Sequence, residues 1–157
     1  HPADSAITRM LATVIADAGD YAGSDQLDTA LLSTNSNDAE LLVAHGQNLV
    51  HQLKYVEAYN VFDQATKIDP ASVDGWSGLA FTASRLERPD AAIHALSMRS
   101  RYLPDNASTY FLWAISYDKL QQKKQAIAYY HRFLDAAAGK YPNEEWQAHQ
   151  RLQLLEK

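Results

Sequence analysis

Apolar residues recur at spacings of three and four along the chain, as in Trp76, Leu79, Ala80, Ala83 and Leu86, or Val61, Phe62, Ala65 and Ile68. That is the period of an amphipathic helix, and no stretch alternates apolar and polar residues as a half-buried strand would. The breaks between these runs carry helix-ending and helix-starting chemistry. Asp69-Pro70 and Leu103-Pro104 end the helices before them, because the residue preceding a proline is pushed out of the helical region. Asn37 or Asp38, Ser72, Asn106 and Asn143 stand just ahead of apolar runs as N-cap candidates. Pro89 falls where a helix begins and its missing N–H is harmless. The pattern predicts helices over 4–18, 22–34, 38–53, 55–68, 72–86, 89–102, 106–120, 123–138 and 143–156.

The runs repeat. Ala58, Ala92 and Ala126 stand 34 residues apart, and four residues after each comes a bulky one, Phe62, Leu96 and Tyr130. Leu42, Trp76 and Tyr110 keep the same interval, each followed four residues later by a small residue, Gly46, Ala80 and Ala114. Pro70 and Pro104 close two of the units. Small residues let two antiparallel helices approach, and bulky ones fill the space beside them.

In these columns the chain resembles the tetratricopeptide-repeat (TPR) family, whose helix-turn-helix unit carries a W-x₂-L-G-x₂-Y, A-x₃-F, P pattern over 34 residues. Trp76, Leu79, Ala92, Leu96 and Pro104 match it in one unit; Gly46, Ala58, Phe62, Ala65 and Pro70 in the unit before; Tyr110, Trp113, Ala114, Tyr117, Ala126 and Tyr130 in the unit after. The first unit is eroded. Gly19-Asp20-Tyr21 resembles the family's turn, but Ser24 stands in the alanine column and Asp28 in the bulky one, which allows the register there to slip by a residue. His45 replaces a leucine, Arg99 and Phe133 occupy a usually small column, and Gly139 and Pro142 replace the closing proline of the last unit.

The resemblance implies an all-α fold, a right-handed α-solenoid of antiparallel helix pairs forming one domain over 1–157. Its units span about 5–38, 39–72, 73–106 and 107–140, with a capping helix over about 143–156. In that last helix Trp146, Leu152 and Leu155 are expected on one buried face, with a further unit beyond Lys157 as the alternative.

Composition narrows the function. A hydrophobic content of 46% with 21% charged residues is that of a folding globular chain. The net charge of −5 is spread without a basic block, which argues against nucleic acid as a partner. The absence of cysteine excludes disulfides and thiolate metal sites but fits any compartment. No apolar run approaches a membrane span. Because the chain opens at His1 and not at a methionine, a processed or trimmed form is expected, cytoplasmic, or periplasmic or secreted after loss of a leader.

Catalytic and metal chemistry find no seat. His1, His45, His51, His94, His131 and His149 have no partners at ligand spacing, and no nucleophile-elbow, phosphate-loop or dinucleotide glycine motif occurs. A non-enzymatic chain without metal or cofactor is expected, with His45 a satisfied histidine in a helix interface. Glu144 and Glu145 suit the first turn of a helix better than a carboxylate pair.

By the resemblance, the first helix of each pair lines a concave groove that takes an extended peptide or a helix. Carried over by register, the groove-facing positions are Arg9, Thr13 and Asp17; Val43, Gln47, Val50 and His51; Ser77, Phe81, Ser84 and Arg85; and Phe111, Ile115, Asp118 and Lys119. Of these, Val43, Gln47, Val50, His51, Phe81, Arg85, Phe111, Ile115 and Lys119 are the candidate partner-binding residues. Val43, Val50, Phe81, Phe111 and Ile115 would form an apolar stripe flanked by His51, Arg85 and Lys119, suited to an apolar or amphipathic segment with some acidic character. The lysine, arginine and asparagine clamp that holds a C-terminal carboxylate in some members is missing. The expected role is a protein-interaction module or scaffold, such as a bacterial assembly factor. The alternatives are a regulatory or substrate-recruiting domain of a larger enzyme, and a subunit that self-assembles, for instance as a homodimer.

Overall fold

The computed structural model describes residues 2–157, and among these every regular element is an α-helix. In chain order they are α1 (Pro2–Asp17), α2 (Tyr21–Thr34), α3 (Ala39–His51), α4 (Tyr55–Ile68), α5 (Val73–Arg85), α6 (Pro89–Arg99), α7 (Ala107–Lys119), α8 (Lys123–Ala137) and α9 (Pro142–Leu155). His1 lies outside the described residues.

The caps explain the starts. Asp38 accepts from the Leu41 N–H at 3.0 Å, and Ser72 from the Gly75 N–H at 3.1 Å. Asn106 and Thr109 form a reciprocal capping box, with Asn106 Oδ1 accepting from the Thr109 N–H at 3.0 Å and Thr109 Oγ1 from the Asn106 N–H at 2.8 Å. Asn143 does not cap the last helix. That helix starts one residue earlier with Pro142 in its first turn, and the Glu145 carboxylate takes the Tyr141 and Gly139 N–H groups at 2.9 and 3.1 Å. α6 also stops short of 102, since the Arg99 carbonyl accepts from the Tyr102 and Leu103 N–H groups in a tight turn.

Each hairpin turn repeats one backbone conformation. Gly19, Leu53, Glu87 and Gln121 all have positive φ, at 88°, 61°, 55° and 57°. The N–H of each bonds back three residues, and the N–H of the next residue bonds back five, as from Lys54 to Leu49 and from Gln122 to Tyr117. This is the Schellman closure that satisfies the last carbonyls of a helix. Only the first of the four is glycine. An L-residue there costs about 1–2 kcal/mol, so side-chain packing must hold these turns.

The contacts gather into two compact units, one ending at Thr82 and the other beginning at Ala83. In the first, α1 pairs with α2 and α3 with α4, and α2 packs on α3. The α4 face of Ala58, Phe62 and Ala65 is wholly buried, and the Phe62 ring edge lies against Gly46 of α3 and Gly78 of α5. Ser24 and Asp28 point inward as their columns require, so the register of the eroded unit does not slip.

In the second unit α7 pairs with α8, α6 packs on α7, and α9 packs on α8. Ala126, Tyr130, Phe133 and Ala137 of α8 form one buried face, joined by Ala114 of α7 and by Ala148 and Leu152 of α9. Burying one side chain the size of Phe133 contributes about 1.5–3 kcal/mol. Arg99 is tolerated in its small column because its guanidinium folds back on the turn and donates to the Pro104 carbonyl at 3.1 Å. Trp146 departs from expectation: Leu152 is buried, but the indole is 66% exposed, on the opposite side of α9.

Candidate functional site

In the first unit, the glycines at 46 in α3 and 78 in α5 both admit the edge of the Phe62 ring. Above that ring opens a cavity of ≈ 250 Å³ lined by Gln47, Val50, His51, Phe62, Asp74, Ser77, Gly78 and Phe81. Phe81, 37% exposed, stands edge-on to Tyr55 with ring centroids 6.2 Å apart. The His51 imidazole stacks on Tyr21 at 4.0 Å, which holds an exposed polar ring in place. The result is an apolar floor with a polar rim, suited to one apolar side chain of a ligand.

A second cavity, of ≈ 320 Å³, lies against α1, α2 and α3, and Gln47 lines both. It exists because the first unit carries Ser24 and Asp28 where the next carries Ala58 and Phe62. A carboxyl is smaller than a phenyl ring and leaves space beside Ala12, Thr13 and Ala16. Both polar side chains are buried, Asp28 to 2% exposure, and both are met by Asn48, whose amide donates to Ser24 Oγ at 2.9 Å and Asp28 Oδ2 at 2.8 Å. Burial raises the Asp28 carboxyl above the usual carboxylate range despite the Asn48 bond and the nearby His45. His45 is half-buried and satisfied, its Nδ1 2.5 Å from Asp25 Oδ1. At the rim, Arg9 pairs with Asp38 and lies 3.9 Å from Glu40. Burial works to raise the Asp38 carboxyl, but the Arg9 and Leu41 hydrogen bonds outweigh it and hold it low.

In the second unit Ile115, Asp118 and Lys119 of α7 meet Gln147 and Arg151 of α9 around a cavity of ≈ 340 Å³. Arg151 grips Asp118 with two bonds, Nε to Oδ2 at 2.7 Å and Nη2 to Oδ1 at 2.8 Å, and the Tyr130 hydroxyl donates to Oδ2 at 3.0 Å. Burial pushes Asp118 up, yet these bonds prevail and keep it below the usual range, while burial and Asp118 together push the Tyr130 phenol well up. Lys119 is paired with Glu87 at 2.9 Å. Phe111 packs on Phe133, with centroids 4.9 Å apart. Among the described residues no group of three or more His, Cys, Asp or Glu side chains converges as a metal site would, and no helix is long and apolar enough to cross a membrane.

No family model and no curated protein matches the sequence. Solved structures do match the fold. A crystal structure of the MamA protein superimposes with a TM-score of 0.85 over 99% of this chain and 82% of that one, at 19% identity. MamA 41-end from Desulfovibrio magneticus RS-1 gives 0.83 over 96% and 82%, at 20% identity. YrrB, described as a TPR protein with an unusual peptide-binding site, gives 0.67 over 82% of this chain and 63% of that one, at 17% identity. The chain has a TPR fold.

Within the TPR units, the structure brings Gln47, Val50, His51 and Phe81 around one cavity, and Ile115 and Lys119 around another. Val43 is buried and presents almost no surface. Arg85 is exposed at the end of α5, and Phe111 is half-buried. Among the other groove positions, Arg9, Thr13 and Asp17 line the Asp28 cavity of the first TPR unit. Sequence reasoning missed Asn48, Ser24 and Asp28 as site residues, although the two column mismatches were the signal. It also missed Arg151, because α9 lies outside the repeat register.

Proposed function

We propose that the chain is a protein-interaction module that takes a peptide or helix of a partner along the face formed by α3 and α5. The Phe81 cavity carries this reading, since an exposed aromatic beside an apolar floor and a fixed polar rim is the anatomy of a binding anchor. The TPR fold and the peptide-binding site named for YrrB support it. A scaffold needs such a surface and no reacting groups, so the module is read as non-enzymatic.

The test is selection of peptides from a random library on the folded chain, followed by titration against Phe81→Glu. Loss of about 2 kcal/mol or more of binding, with an unchanged helical spectrum, supports the groove. Equal binding to the variant places the peptides elsewhere.

A further inference from the structure

The Asp28 cavity contains a buried acid with an open valence. Asn48 engages only Oδ2 of this carboxyl. No buried side-chain nitrogen or oxygen among the described residues is left without a partner, so the other oxygen opens onto the cavity that Asp28 lines. Among the described residues no cation of the first unit forms an ion pair with it. Arg9, the lining residue with positive charge, is engaged by Asp38 and Glu40, and His45 is engaged by Asp25. Asp17 and Glu40 add two further carboxylates to the wall against that single guanidinium.

A carboxylate held nine-tenths out of water is unstable without a positive partner or a proton, and burial does raise this one's affinity for a proton. Either state can hold a hydrogen-bonding guest, but a cation alone relieves the charge. We propose that the Asp28 cavity is a specificity pocket for the cationic side chain of a lysine or arginine in the bound peptide. The inference rests on the peptide-binding reading of the α3–α5 face. Gln47, shared by the two cavities, makes them neighbouring subsites of one path, the Phe81 subsite for an apolar residue and the Asp28 subsite for a basic one. A ligand with acidic flanks, as the His51, Arg85 and Lys119 pattern suggests in sequence, fits this first unit poorly.

Two arms separate the pocket from the groove. In the first, Nα-acetyl-lysine methylamide and its arginine counterpart are titrated into the ¹⁵N-labelled chain, with the Nε-acetylated lysine analogue as the uncharged control. The cationic probes should shift the Asn48 side-chain amide and the Ser24 and Asp28 backbone amides. The control and Asp28→Asn should each weaken those shifts at least about tenfold, the size of one charge-assisted hydrogen bond. Equal shifts from charged and uncharged probes, or none from either, overturn the proposal, and this comparison on the unaltered chain does not depend on the variant folding.

In the second arm, peptides selected on the chain should be enriched in lysine or arginine, and Asp28→Asn should remove that preference while Phe81→Glu removes binding altogether. Selected peptides that need Phe81 but show no basic preference sink the pocket and leave the groove standing. Cationic probes that bind at Asp28, together with peptides indifferent to Phe81, do the reverse.

Discussion

Gly78→Ala gives the sharpest test of the packing. A Cβ at Gly78 would lie 2.4 Å from Cε1 and Cζ of Phe62, and one at Gly46 would lie 2.7 Å from Cε1 of the same ring. Ordinary carbon contacts fall near 3.5–4.0 Å, so the new methyl intrudes by about 1 Å. The ring is 1% exposed and cannot retreat, because its free edge is already against the α3 backbone at Gly46. Overpacking of this kind costs about 1–3 kcal/mol, against a helix-propensity gain of about 0.5–1 kcal/mol for replacing glycine. The expected net loss is about 1–2 kcal/mol, or a Tm lower by about 2–8 °C.

Urea and thermal melts followed by far-UV circular dichroism would measure it. Phe62→Leu, which removes the ring edge, should relieve most of the penalty in the double variant, although it destabilises alone. A Gly78→Ala chain as stable as the parent, or a strictly additive double variant, would refute the claim that this ring fills the space against Gly46 and Gly78.

Three further outcomes are expected. Gln121→Gly should stabilise the chain by up to about 1 kcal/mol in the same melts, because the left-handed residue loses its Cβ and makes no side-chain pair there. Asp28 has a folded-state pKa above its unfolded one, so the cost of ionising it is absent below the unfolded value, grows as pH rises above it and is complete above the folded value. Asp28→Asn should therefore raise stability at neutral pH, and the gain should vanish below the usual aspartate range, as pH-dependent urea melts would show. Asp118 has the opposite sign: its depressed pKa contributes stability above the unfolded value that is lost as pH falls through the folded one. Hydrogen exchange should show α9 loosening in acid, and Arg151→Ala, worth about 1 kcal/mol for a partly exposed pair, should reproduce the loosening at neutral pH.

The helices were legible because proline, caps and apolar period agree locally. The α4 face of Ala58, Phe62 and Ala65 emerged as buried as its column predicts. The candidate site was legible only where side-chain direction follows register. Gln47, Val50 and Phe81 do so, while Val43, one turn before Gln47, is drawn into the core. Pairings between residues far apart in sequence leave no local signal. Lys119 meets Glu87, 32 residues away, and Arg151 meets Asp118, 33 away, so a lysine read as flanking the apolar stripe is paired within the chain and an unnoticed arginine reaches α7. The first unit shows a subtler failure. Ser24 and Asp28 were visible as mismatches, but only their meeting with Asn48 distinguishes a designed polar cavity from erosion.

The left-handed turns at Leu53, Glu87 and Gln121 bear on how the chain acquires its structure during synthesis. A hairpin whose corner disfavours closure is expected to stay splayed until later helices supply the contacts that hold it, whereas the Gly19 corner can shut unaided. A nascent chain would then delay each of its later hairpins until the following helix has left the ribosome. Cooperativity between neighbouring repeats would thus be built into the backbone conformation of three corner residues, beyond any contact their side chains make.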